Sequence, residues 1–149
     1  MALFLSTFTN KIDGKGRVSI PAQFRASLVN ESFSGVVVYE SFINDCIEGC
    51  DLERIKKISE SIDNLDPFSE ERDAFATAVL GGSFQLAIDG DGRVILPETL
   101  LKKAKLKDSA VFVGKGSTFQ IWNPAKFEDY MTQAKKDAKE KRNLLRLAK

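Results

Sequence analysis

One string of fourteen residues occurs twice in this chain. Phe8–Pro21 reads FTNKIDGKGRVSIP and Phe84–Pro97 reads FQLAIDGDGRVILP, 76 residues apart, with eight of the fourteen positions identical. A duplication on this scale governs the fold, because each copy is a supersecondary unit whose apolar face needs a neighbour. The likeness continues more loosely. Gly35–Tyr39 answers Ala110–Gly114, and the stretch from Ser41 to Gly49 answers Ser117–Trp122. At 149 residues the chain suits one domain, since separate halves would bury only roughly 60% of their unfolded surface.

Each copy reads as strand, tight turn, strand, short helix, strand, turn, strand, helix. Leu3–Ile12 is partly alternating and rich in aromatic and β-branched residues, and Arg17–Ile20 is its return strand. Pro21 and Pro97 stop those strands and open short helices, where a missing N–H costs nothing. Phe24 and Leu28 mark the apolar face of the first. Asp51 is placed to cap a helix carrying Leu52, Ile55, Ile58 and Ile62 at helical spacing. Asn123-Pro124 opens the equivalent helix, with Phe127, Tyr130, Met131 and Ala134 on one side. Between the copies, Ser69 caps a connecting helix with Ala74, Phe75, Ala78 and Val79, which Gly81-Gly82 ends. The organisation expected is a first repeat over 3–62, a connector over 63–81, a second repeat over 82–133 and a basic helical tail over 134–149. The fold class is α+β, with the two repeats paired about a pseudo-twofold axis into one interlaced β-barrel with peripheral helices.

Composition closes off several chemistries. The chain has no histidine, so Ser–His and Cys–His nucleophile pairs, histidine bases and histidine metal ligands are excluded. Its two cysteines, Cys46 and Cys50, cannot complete a soft-metal shell, and their spacing is not that of a thioredoxin-like site. They read as structural thiols. No nucleotide loop or nucleophile–base pair stands out, so no enzyme, cofactor, metal or small-molecule substrate is expected. No apolar run approaches the ~20 residues of a membrane span. Asn10, Lys11, Asp13, Lys15 and Arg17 occupy the region where a signal peptide has its apolar core, so a cytoplasmic location is expected. The eleven phenylalanines, beside one tryptophan and two tyrosines, read as core filling rather than as a base-stacking platform.

The net charge of +1 hides a division. Residues 1–75 sum to −5 and residues 76–149 to +6, and the last 16 residues hold seven basic and two acidic groups. Inside the acidic half lies one basic island, Lys11, Lys15, Arg17 and Arg25 against Asp13 alone. Local fields of this kind attract polyanions. The basic tail reads either as a solvated helix end, where cations oppose the dipole, or as a further contact with a polyanion.

Both copies set Asp and Arg four residues apart across a two-glycine loop, Asp13 with Arg17 and Asp89 with Arg93. The structural reading is a hairpin. Asp bonds its own turn amides, the glycines supply positive φ, and Arg closes the turn on Asp. The functional reading adds bare backbone N–H groups at Gly14 and Gly16, with Lys15 and Arg17 beside them, a set suited to phosphates and base edges of DNA. The second turn carries Asp91 where the first has Lys15, which sets two carboxylates beside Arg93 and repels a phosphate backbone. DNA contact is therefore expected from the first copy, at Lys11, Gly14, Lys15, Gly16, Arg17 and Arg25. Asp13, Asp89 and Arg93 are expected to support the architecture.

KIDGKGRVSIP and AIDGDGRVILP, with the strand pairs downstream of them, resemble the two SpoVT/AbrB-like halves of the MraZ family over residues 3 to about 135. The resemblance implies a swapped-hairpin fold in tandem and a ring-shaped homo-oligomer. It also implies a nucleoid-associated transcriptional regulator that binds short, evenly repeated DNA boxes upstream of the bacterial division and cell-wall gene cluster. Two other readings stay open: a pure assembly ring, and an AbrB-like antitoxin-type module that binds a partner protein.

Overall fold

A computed structural model of the chain describes residues 2–29 and 33–149. The first copy forms β1 (Thr7–Lys11), β2 (Arg17–Ser19), α1 (Ala22–Arg25), β3 (Gly35–Glu40), β4 (Ile47–Cys50) and α2 (Leu52–Asp63). The connector is α3 (Glu70–Phe75), which runs directly into a π-helical turn over Ala76–Gly81. The second copy forms β5 (Phe84–Ala87), β6 (Arg93–Ile95), α4 (Glu98–Lys103), β7 (Ser109–Gly114), β8 (Phe119–Trp122) and α5 (Pro124–Glu140). A 3-10 turn, Arg142–Leu144, comes last. The helix starts are where their capping residues put them. Asp51 accepts the Arg54 N–H at 2.8 Å, Ser69 Oγ that of Arg72 at 3.1 Å, and Asn123 that of Lys126 at 3.1 Å, each satisfying a backbone donor the helix leaves unpaired.

Six strands form one antiparallel sheet in the order β1-β7-β8-β4-β3-β5, and β2 pairs with β6 in a separate ribbon. Exchanging the copies converts the six-strand order into itself read backwards. β1 of the first copy lies on β7 of the second, β5 of the second lies on β3 of the first, and β4 meets β8 at the centre with Glu48 opposite Gln120. The ribbon is centred on Val18 opposite Val94. The pseudo-twofold axis thus passes between two equivalent valines and between two equivalent strands. The hairpin of each copy is exchanged onto the other.

The expected barrel does not form. The sheet is open, with β1 and β5 as its edges. Closure would need a continuous ladder between each hairpin's two strands, and β1 joins β2 only through the single bridge Ile12–Val18. Beyond it the strands separate, and the Asn10 side-chain amide, not a backbone N–H, donates to the Ser19 carbonyl at 2.7 Å.

The pairing also corrects the alignment of the copies. Phe8 lies opposite Phe112 and its equivalent Phe84 opposite Val38, so Val38 matches Phe112 at a separation of 74. Aligning Gly35 with Ala110 is one residue out, which would send every side chain of the strand to the wrong face. In the true register Val36 and Val38, like Ala110 and Phe112, face the main core. The separation falls to 72 at β4 and β8 because the loop 41–46 is two residues longer than 115–118.

One face of the sheet is covered by the ribbon with α1 and α4. Val18, Val94, Phe24, Leu28 and Leu100 meet Phe112, Phe119 and Ile121 there. Phe4, Phe24, Phe112 and Phe119 form a connected aromatic cluster with ring centres 5.0–6.4 Å apart. On the other face α2 and the π-turn pack on Val37, Tyr39 and Cys50, while α5 packs on Cys46, Val111 and Trp122. Phenylalanine as core filling holds for Phe4, Phe24, Phe112, Phe119 and Phe127 but not for Phe42, Phe68, Phe75 or Phe84, which are exposed.

Candidate nucleic-acid interface

The two repeated turns are built alike. In the first, Asp13 Oδ1 accepts the N–H groups of Lys15 and Arg17, both at 2.9 Å. The Gly16 N–H donates to the Asp13 carbonyl at 3.0 Å, and Gly16 takes a φ of +82°, a region that favours glycine. In the second, Asp89 Oδ1 accepts from Asp91 and Arg93 at 2.9 Å, and Gly92 takes +80°. Bonds from the Arg17 backbone and side chain hold the Asp13 carboxyl down to about 2. The bond from the Arg93 backbone likewise lowers that of Asp89. Both carboxylates are structural parts of their turns.

The arginines differ in what they hold. Arg17 Nε donates to Asp13 Oδ2 at 2.7 Å, and its two terminal nitrogens have no acceptor among the described residues. Arg93 reaches two carboxylates, Asp89 through Nε at 3.3 Å and Asp91 through Nη2 at 3.2 Å. Their side chains are equally exposed, 34% and 33%, so pairing rather than burial separates them. Lys15 is exposed at the tip of its turn, and a Cβ on Gly14 would meet open space.

Pairing of β2 with β6 locks the turns together. The Ile20 N–H donates to the Gly92 carbonyl and the Leu96 N–H to the Gly16 carbonyl, each at 2.9 Å. Val18 and Val94 point into the core, so alternation leaves Arg17, Ser19, Arg93 and Ile95 on the ribbon's outer face. Arg17 stands opposite Ile95, and Ser19 opposite Arg93. Ser19 and Ile95 are thus neighbours of the arginines. The period-two pattern of Arg-Val-Ser and Arg-Val-Ile carries that signal in the sequence.

Two of the expected contact residues lie apart from the first turn's tip. Lys11 is exposed on β1, paired with Ser109 of β7. Arg25 stands in the second turn. Its Nη1 donates to the Ile20 carbonyl at 2.7 Å, and a Cβ on Gly92 would come within 2.5 Å of that nitrogen. At the equivalent place in the first turn Leu101 lies 3.4 Å from the Cβ position of Gly16. Each turn is therefore roofed by a residue of the other copy, one by leucine and the other by arginine. Gly16 itself is buried beneath that roof.

Cys46 and Cys50 are buried free thiols, and burial pushes both up to about 12, helped by Glu48 beside Cys46 and Asp51 beside Cys50. Such thiols carry almost no thiolate at neutral pH. No helix among the described residues is long and apolar enough to cross a membrane.

The likeness to known proteins extends along the whole chain. The family model described as "MraZ protein, putative antitoxin-like" matches residues 3–77 and again 79–147. A protein of Rickettsia felis named "Transcriptional regulator MraZ" is 52% identical over 148 residues, covering 99% of each chain. Relatives of the same name from Rickettsia bellii and Rickettsia akari are 52% and 51% identical over 98% and 99% of each chain. With both repeats matched and half of all residues shared from end to end, this chain belongs to the MraZ family.

Proposed function

We propose that the chain is a sequence-specific DNA-binding regulator of transcription, without catalytic activity, acting in the cytoplasm on the nucleoid. It binds short repeated boxes upstream of the division and cell-wall gene cluster as a ring-shaped homo-oligomer. The observation that carries this reading is the first turn, where Lys15 is exposed and the half-buried Arg17 keeps its terminal nitrogens without acceptors among the described residues, on a narrow two-stranded ribbon. A β-ribbon is one of the two elements the major groove admits, and an arginine fork matches the paired acceptors of guanine. Gly14 and Lys11 add backbone and charge contacts to phosphate, whereas Gly16, buried with its N–H on Asp13 and its carbonyl on Leu96, shapes the turn from beneath. The naming of the relatives as transcriptional regulators points the same way.

One such turn neutralises about two phosphates, and each contributes a salt slope of roughly −0.9, so a single copy binds weakly. Several copies on one ring, meeting several boxes on one DNA, make the later contacts intramolecular. A DNA with three boxes therefore binds far more tightly than a DNA with one in a gel shift. Equal affinity for the two rejects the avidity argument. No binding at all at low salt rejects DNA as the partner and leaves the ring as an assembly or partner-protein module.

A further inference from the structure

The outer face of the ribbon carries one side chain that neither the turns nor the core explains. Ile95 is 61% exposed on β6, while Val94 beside it is buried in the core. A strand favours a β-branched residue, but this fold does not require one there. The first copy supplies the control, since the equivalent position on β2 is Ser19.

The exchange of hairpins distributes these two residues unequally. Ile95 stands opposite Arg17, and Ser19 opposite Arg93. The apolar side chain therefore lies beside the arginine whose terminal nitrogens have no acceptor among the described residues, and the polar one beside the arginine held by Asp89 and Asp91. Bonds from the Leu96 N–H to the Gly16 carbonyl and from the Ile20 N–H to the Gly92 carbonyl flank the two pairs, so each is a non-hydrogen-bonded pair. Such pairs are the closer kind, with Cα atoms roughly 4.5 Å apart. Bases along a DNA strand are roughly 3.4 Å apart, so side chains facing each other across a ribbon in the groove reach neighbouring base pairs.

Chemistry selects what Ile95 can meet there. Amines, carbonyls and ring nitrogens line the major groove, and its one apolar group is the C5-methyl of thymine. An aliphatic side chain gains by covering that methyl. Against cytosine it covers an N4 amine and offers it no acceptor. We propose that Ile95 is a specificity-determining residue that reads the methyl group of a thymine in the base pair next to the guanine held by Arg17. The site thus takes one side chain from each copy. This rests on the DNA-binding reading above and adds one base to it.

The test uses the full chain and a one-box duplex from upstream of the division and cell-wall gene cluster, at low salt. The duplex is prepared with thymine or with deoxyuridine, which lacks only the methyl. The parent binds the deoxyuridine duplex about fourfold more weakly in fluorescence anisotropy, the worth of one buried methyl. Ile95→Ser, which copies the first repeat, binds the two duplexes equally with its light-scattering mass unchanged, and Ile95→Leu restores the difference. A parent that binds both duplexes equally overturns the proposal and leaves the DNA reading standing. A difference that survives in Ile95→Ser overturns it too, because the methyl is then sensed elsewhere. So does a fall in mass in Ile95→Ser with the methyl preference kept, which places Ile95 between copies of the chain. A parent that binds neither duplex overturns both readings.

Discussion

The two repeated turns share a backbone and differ in charge. Both hold an aspartate that accepts two turn amides, a left-handed glycine and an arginine at the fourth position. Lys15 in the first turn is replaced by Asp91 in the second, and Arg93 is thereby drawn onto two carboxylates. The roofs differ in step: apolar Leu101 covers the cationic turn, and Arg25 covers the turn with the extra acid. One scaffold thus tolerates opposite surface chemistry, because its bonds run through Asp, Gly and backbone. The position between the glycines is left to vary.

Arg17→Ala breaks the comparison most severely. DNA affinity falls by about tenfold or more, as for removal of one forked base contact, and the salt slope shrinks by about 0.9 for each phosphate no longer neutralised. Arg93→Ala costs under about threefold in the same fluorescence-anisotropy titration, since Arg93 is engaged by its own turn and gives up no specific base contact. Equal effects would make the turns functionally equivalent.

Glycine replacements come next. Gly16→Ala and Gly92→Ala each destabilise the fold by about 1–2 kcal/mol in urea denaturation, because alanine is strained at positive φ. Adding Arg25→Ala recovers part of the Gly92→Ala deficit, since the obstacle there is a side-chain end. Leu101→Ala gives Gly16→Ala no such relief, because the Leu96 carbonyl stands nearest at 3.2 Å.

Asp91→Lys makes the second turn resemble the first. It releases Arg93, steepens the salt slope by about 0.9 and raises affinity a few-fold. The smallest effect is in acid. Asp13 titrates near 2 in the folded chain against an ordinary 3.8, so its contribution is complete above the unfolded value and is lost as pH falls through the folded one. Thermal melts from pH 5 down to 2 therefore flatten in Asp13→Asn. If the mutant follows the parent curve, the carboxylate does not anchor the turn.

Local chemistry is the legible part of this molecule. Asp51, Ser69 and Asn123 announce their helices because a cap acts within three residues. The Asp-Gly-x-Gly-Arg turns are readable for the same reason. The exchange of hairpins is expected from family resemblance, whereas its pairings are long-range. The one-residue slip between β3 and β7 shows why: four apolar residues in a row, Val36 to Tyr39, carry no alternation to fix a face. The barrel expectation fails where β1 and β2 part after one bridge, a separation that no residue type marks. Arg25 looks like part of the first turn by proximity in sequence, but α1 carries it across the pseudo-axis to the second.

The exchanged hairpins have a consequence for synthesis. When only the first repeat has left the ribosome, β1 has no β7 to lie on, β2 no β6, β3 no β5 and β4 no β8. Four strand edges wait open until the second repeat arrives, in a nascent chain surrounded by others of its kind. Two unfinished chains offer each other the same complementary strands that the finished chain offers itself, so the covalent link between the repeats keeps those strands from pairing with a stranger.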